Sequence, residues 1–298
     1  MTDSIRPLRS LLFVPGNRYT MLEKAPYLGA DALVPDMEDS VPAPGKDDAR
    51  EAIHSMLPQI AVEPPVIIPR VNTLASGLIQ DDLLAIVGPY IDGVTVGKVE
   101  SREEVLEICS ILAATEKHVG VSEGTTRLIP WIETARGVAN ALAICQSSDR
   151  IFALAFGADD YALDMGIIRS EEGSELIYAR SVIVTAARVG GLIALDTPYT
   201  RYRDQRGLLQ EITLARQFGF NGKFVIHPNQ IDPTNTGFSP STKEVEVARR
   251  IVEMYELSEA QGHGTASLDG AMIDRPVVER ARRLLTSVQS IERGEQVG

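Results

Sequence analysis

Short apolar runs rich in Val, Ile and Leu recur along this 298-residue chain, roughly 25 to 40 residues apart. They lie at Arg9–Pro15, Ala32–Met37, Val66–Val71, Gly93–Val99, Arg127–Glu133, Ile151–Gly157, Leu192–Asp196 and Lys223–His227. Each is bounded by Gly, Pro or Asp and is nearly continuous rather than alternating. That is the pattern of a strand covered on both faces in a parallel sheet. The segments between them carry helical spacing: Tyr19–Leu28, Lys46–Met56, Arg102–Ala114, Ala135–Gln146, Ser174–Val189 and Asp204–Phe218.

Strands alternating with helices predict right-handed crossovers and a parallel α/β sheet. Eight such units within about 230 residues favour a closed (β/α)8 TIM barrel. An open doubly wound sheet is the competing arrangement, but Val14-Pro15-Gly16-Asn17 after the first strand lacks a G-x-G-x-x-G fingerprint. The polar stretch Pro228–Pro240 reads as a loop, followed by a helix from Thr242 to Gln261, a Gly-rich turn and a last helix opening near Pro276. The division is therefore a barrel domain over residues 1–232 and a C-terminal helical extension over 233–298. The extension is too small to form a core alone, so it packs on its own barrel or covers a neighbouring subunit.

Composition narrows the function. The 29 Lys plus Arg against 41 Asp plus Glu give a net charge of −12, contrary to what a nucleic-acid binder needs. Two cysteines, Cys109 and Cys145, exclude a disulfide framework. No run approaches the ~18 apolar residues of a membrane span, and the first ten residues lack a signal core, so the expected location is cytoplasmic.

In a barrel, chemistry sits at the carboxyl ends of the strands. Here those ends are acidic: Asp36-Met37-Glu38-Asp39, then Glu133-Thr134, then Asp159-Asp160, with Arg70 ending the third run. Glu133 and Asp160 end adjacent strands and suit a Mg²⁺ pair completed by water; the alternative is that each caps the following helix. Arg70 is either a planar fork for a substrate carboxylate or enolate oxygen, or a salt-bridge partner of Asp36 or Asp39. Lys98 reads as an ion-pair partner ahead of a Schiff-base lysine, and His227 as a structural histidine ahead of a mouth residue.

Six blocks resemble one family: Arg9–Gly16, Asp36–Val41, Pro69–Asn72, Ile132–Gly137, Phe156–Tyr161 and Gly270–Pro276. In order and spanning nearly the whole chain, they are similar to the citrate lyase β-subunit-like branch of the HpcH/HpaI aldolase superfamily, which includes malyl-CoA and citramalyl-CoA lyases. The resemblance implies a barrel that cleaves or forms carbon–carbon bonds in hydroxyacyl thioesters with Mg²⁺, Mn²⁺ being the substitute ion. It implies Glu133 and Asp160 as metal ligands, with Glu133 also facing substrate, and Arg70 as the residue gripping the keto acid. Asp274 matches an acid used in proton transfer, although its place before Pro276 equally suits a helix cap. Asp36, Glu38 and Asp39 then orient Arg70 and metal-bound water.

Coenzyme A, as part of the substrate, needs cations; Arg18 and Lys24 after the first strand are the candidates, with surface solubility as the alternative. The implied partners are acyl-CoA and keto-acid substrates, further copies in a homotrimer or homohexamer, and an acyl carrier subunit. A class II pyruvate aldolase acting on free hydroxy-keto acids and a carrier-dependent citrate lyase β subunit, inactive alone, are the rival functions. One departure stands out: Gly97-Lys98-Val99-Glu100 replaces the Pro-Lys-Val-Glu usual in the family.

Overall fold

The apolar runs become the strands of a barrel. The computed structural model describes residues 7–61 and 65–295. Its strands are β1 (Ser10–Pro15), β2 (Ala32–Asp36), β3 (Val66–Ile67), β4 (Arg70–Val71), β5 (Gly93–Val96), β6 (Arg127–Ile132), β7 (Ala153–Phe156), β8 (Ile193–Asp196) and β9 (Gly222–Val225). The helices between them are α1 (Tyr19–Lys24), α2 (Lys46–Ile60), α3 (Ile79–Ile86), α4 (Arg102–Val119), α5 (Ala135–Cys145), α6 (Ala158–Asp164), α7 (Ile177–Gly190) and α8 (Gln205–Phe218).

Neighbouring strands pair in parallel, and β1 pairs with both β2 and β9, which closes the sheet. β3 and β4 are halves of one barrel strand, interrupted where Pro69 has no N–H to offer the ladder. Among the described residues the barrel thus has eight strand positions, as the spacing predicts. Its closure needs Gly222: a Cβ there would lie 1.8 Å from the Leu8 carbonyl oxygen.

Side chains alternate along each strand, so every second residue fills the barrel. Leu11, Val34, Ile68, Ile129, Trp131, Ala155, Leu195 and Phe224 form this interior, with Phe13 packed against it. Near the top, the Trp131 ring lies 4.3 Å from Phe224 and 5.8 Å from Phe13, centroid to centroid. Trp131 Nε1 donates to Thr95 Oγ1 (2.6 Å), which satisfies its polar edge. This aromatic layer is the floor of the mouth.

The chain divides into two compact units after Asn235. The division falls within α9 (Ile231–Phe238), which occupies much of the stretch read from sequence as a loop. Pro228 opens a short 3-10 turn and Pro233 sits in the first turn of α9, where a missing N–H costs nothing. The second unit contains α10 (Thr242–Ala260), β10 (Ala266–Leu268), β11 (Ala271–Ile273) and α11 (Arg275–Glu295). α10 starts with a complete capping box between Ser241 and Glu244. The β10–β11 hairpin escapes the sequence reading, although Asp269-Gly270, with φ of 51° and 82°, is the dipeptide such a turn favours. Contrary to the expectation that the extension is too small for a core, Tyr255, Ile273 and Val278 make a small one of its own, because the hairpin folds back between the two helices' apolar faces. Among the described residues, no helix is long and apolar enough to cross a membrane.

Candidate active site

The next inward position above the aromatic floor carries the candidate site residues. Two residues beyond Val34, Ile68 and Trp131 come Asp36, Arg70 and Glu133, while Gly97 and Gly157 occupy the same level directly after β5 and β7. The pairing register sets Asp36 beside Arg70. Arg70 Nε and Nη2 donate to the two Asp36 carboxylate oxygens, both at 2.7 Å, in a planar fork. Arg70 Nη1 reaches Asp39 Oδ2 (2.9 Å) and Glu38 Oε2 (3.0 Å), and the guanidinium lies 4.5 Å from the Phe13 ring centroid. The structure thus makes the salt bridges foreseen for Arg70 and adds Glu38. Among the described residues three hydrogen bonds run from the guanidinium to Asp36 and Asp39, and Glu38 adds an ion pair at Nη1.

Burial alone would raise the Asp36 carboxyl, but the Arg70 guanidinium and the amides of Glu38 and Ser40 hold it below its ordinary value. Glu38 is different. Burial, then repulsion from Asp39 and Asp36, lifts it to about 7 despite Arg70. Lys46 Nζ donates to the carbonyls of Met37 (2.6 Å) and Glu38 (2.7 Å), and Asn72 Nδ2 to that of Met37 (3.0 Å). Fully buried Asp82 fixes Asn72 in turn through its amide and side chain, at 2.7 and 2.6 Å. The loop carrying Glu38 and Asp39 is therefore clamped from below.

Glu133 is buried against Gly157: a Cβ there would lie 2.2 Å from Glu133 Oε2. A Cβ on Gly97 would meet Glu133 Oε1 at 2.9 Å and Glu38 Oε1 at 3.1 Å. The glycine that replaces the family's proline therefore lies between two carboxylates. Glu133 does not cap α5, because Thr134 does so by accepting from Gly137 N at 3.0 Å. Burial first, then Asp160 and Glu38, raise the Glu133 carboxyl to about 8. Asp160 lies in the first turn of α6, so favourable interaction with the helix dipole applies to it.

Lys98 joins the two acids. Its amide donates to Glu133 Oε1 (2.7 Å), and its Nζ lies 3.1 Å from Asp160 Oδ1. Its φ of 55° is left-handed, a conformation costing an L-residue about 1–2 kcal/mol. Sequence reasoning assigned the ion pair but not the amide contact, since nothing in Gly-Lys-Val announces a left-handed lysine.

The other candidates are placed as follows. Arg18, three residues past the mouth end of β1, is the N-cap of α1, and Lys24 lies in the last turn of that helix; both are exposed. Asp274 Oδ1 accepts from Val277 N at 3.2 Å, so it does cap α11 within its own unit. His227 pairs with Asn229 through Nδ1 (2.7 Å) and stacks on Tyr202, in keeping with a structural histidine.

A family model described as HpcH/HpaI aldolase/citrate lyase matches residues 9–228. Citrate lyase subunit beta of Leuconostoc mesenteroides subsp. cremoris is 38% identical over 277 residues, covering 93% of this chain and 92% of that protein. The mitochondrial citramalyl-CoA lyase of Homo sapiens is 34% identical over 296 residues, or 96% of this chain and 87% of that one. A structure of CitE from Mycobacterium tuberculosis with magnesium, acetoacetate and coenzyme A aligns with a TM-score of 0.78 at 26% identity, covering 97% and 99% of the two chains. The motif blocks, the closed barrel and a match running from β1 past β9 lead to one assignment: the chain belongs to the HpcH/HpaI aldolase/citrate lyase family and is a lyase of that family.

Proposed function

We propose that this lyase forms or breaks a carbon–carbon bond in a hydroxyacyl thioester of malyl-CoA, citramalyl-CoA or citryl type, with Mg²⁺. The observation carrying this reading is the Glu133–Asp160 pair at one mouth, flanked by glycines at 97 and 157 and short of positive charge. The donor set fits the ion. One carboxylate is buried and the other is a third exposed, so water can complete the octahedron that Mg²⁺ requires. Among the described residues no group of three or more His, Cys, Asp or Glu is placed to hold a metal ion, so in this reading the protein supplies two ligands and water the rest.

Bound there, Mg²⁺ supplies Lewis-acid polarisation of a keto-acid carbonyl. Arg70, held flat by Asp36, directs its charge at the oxygen on which negative charge develops. Asp36, Glu38 and Asp39 fix that orientation. Asp274 removes a proton from the thioester α-carbon in synthesis and returns it in cleavage. Arg18 and Lys24 take the coenzyme A phosphates, and the chain assembles as a homotrimer or homohexamer. The named activity of the human relative and the ligands of the mycobacterial CitE structure support the thioester and the metal.

A carrier-dependent citrate lyase β subunit is the second reading, favoured by the 38% identity to the Leuconostoc protein. Assay of the purified chain alone against hydroxyacyl-CoA thioesters and free hydroxy-keto acids, with EDTA or Mg²⁺, separates the possibilities. Thioester cleavage that EDTA abolishes and Mg²⁺ restores is expected. Activity only after adding an acyl carrier subunit selects the second reading, and cleavage of free acids without coenzyme A selects a pyruvate aldolase. Glu133→Gln is expected to lower turnover on the order of 100-fold or more with an unchanged circular dichroism spectrum. Full activity in that variant removes the metal assignment.

A further inference from the structure

We infer that Lys98 is the resident counter-ion of the acidic mouth and competes with the divalent cation for Asp160. This deepens the reading of Glu133 and Asp160 as metal ligands and rests on it. Five carboxylates meet at the mouth, Asp36, Glu38, Asp39, Glu133 and Asp160, against the cations Arg70, Lys46 and Lys98. Arg70 is spent on the first three acids, and Lys46 on the carbonyls beneath them. Among the described residues, the positive charge facing the Glu133–Asp160 pair is the Lys98 ammonium.

Three features suit Lys98 to being displaced rather than fixed. Its backbone, bent to φ of 55°, already serves Glu133 through the amide, so that contact survives when the side chain leaves. Its side chain is 46% exposed and flexible, with water immediately available to the departing ammonium. Its Nζ sits on Asp160 Oδ1 at 3.1 Å, occupying one of the two oxygens that carboxylate can offer a divalent ion. An ammonium and a dication sharing one carboxylate repel each other, so metal entry drives the lysine out toward solvent. Lys98 thereby steadies the acid pair before metal arrives and weakens the metal's hold. The protein's apparent affinity for the ion is the balance of the two.

The test uses Mn²⁺ as the probe, titrated into the full chain while free ion is followed by electron paramagnetic resonance, with no substrate present. Lys98→Met is expected to bind Mn²⁺ about tenfold tighter than the parent, since a unit charge a few ångströms away in a partly solvated site is worth that much. Lys98→Arg, which keeps the charge, is expected to stay near the parent value. Unchanged or weaker binding in Lys98→Met overturns the inference, whatever the enzyme's activity. Glu133→Gln separates the two levels. If it binds Mn²⁺ like the parent, or if neither the parent nor any Lys98 variant binds the ion, the metal reading fails and the competition fails with it. If Glu133→Gln loses binding while Lys98→Met gains none, only the competition is wrong.

Discussion

Arg70 and Asp36 face each other across one strand pair, and the bidentate fork between them is what separates an arginine here from any other cation. A lysine would keep the charge but reach one oxygen as a point donor, leaving part of buried Asp36 without a partner. Arg70→Lys is therefore expected to lower kcat/KM on the order of 100-fold, as for loss of an oriented oxyanion donor. A variant with a lowered melting temperature and parental kcat/KM would instead make Arg70 a structural counter-ion. At this scale the sequence shows which acids and which arginine end the strands, because position at a strand's carboxyl end is a matter of counting. It does not show that Glu38 joins Arg70, that Asp82 anchors Asn72, or that a lysine adopts φ of 55°. Those depend on how loops fold back over the mouth, and loop geometry has no periodicity to read.

The elements around the barrel are held by buried charges that leave equally little trace in sequence. The loop after α4 is organised by Glu116 near the end of that helix. That carboxylate accepts from Gly124 N (2.8 Å), Thr126 N (2.7 Å) and both Arg150 terminal nitrogens (2.9 and 2.7 Å), and it is 0% exposed. Burial pushes its pKa up, but the Arg150 guanidinium and the two amides overcome this and bring it from 4.5 to about 2. A depressed carboxylate stabilises the fold above its unfolded value, and that contribution is lost as pH falls from 4.5 through about 2. The shift corresponds to at most about 3 kcal/mol at neutral pH. Glu116→Gln is expected to lower the urea midpoint at pH 7, and the gap to the parent should narrow steadily below pH 4.5. A gap constant from pH 7 to pH 3 would mean the carboxylate's charge is not what holds the loop. Lys223 poses the same problem of legibility. Within an apolar run it reads as a strand residue, yet its ammonium binds Asp196 (2.8 Å) and Glu211 (2.9 Å) between strand and helix, fully buried.

For the whole molecule, eight buried strands at regular spacing specify a barrel because each run must be covered on both faces, and the closing pair β1–β9 needs only a glycine at 222 to fit. The tail was less legible: its hairpin is three residues per strand, and its helices have amphipathic faces whose partners no pattern identifies. Its one candidate for chemistry, Asp274, caps α11, and that contact holds the carboxylate at the start of the helix in its own unit. If the extension covers a neighbour's mouth in a trimer or hexamer, Asp274→Asn removes the proton-transfer group from one site while leaving Glu133 and Asp160 intact in its own barrel. Asp274→Asn is then expected to suppress exchange of the acetyl-CoA methyl protons while still binding Mg²⁺ and keto acid. Co-expressed Asp274→Asn and Glu133→Gln chains, each inactive alone, should recover activity, because some mouths combine an intact metal pair with an intact tail. Random mixing in equal amounts places a complete set at about one site in four, so recovery near a quarter of the parental rate is the expected size for independent sites. No recovery in oligomers verified to be mixed would mean that each tail serves only its own barrel. Parental proton exchange in Asp274→Asn would mean that another group is the base, and the acid's place before Pro276 would then be explained by the helix cap alone.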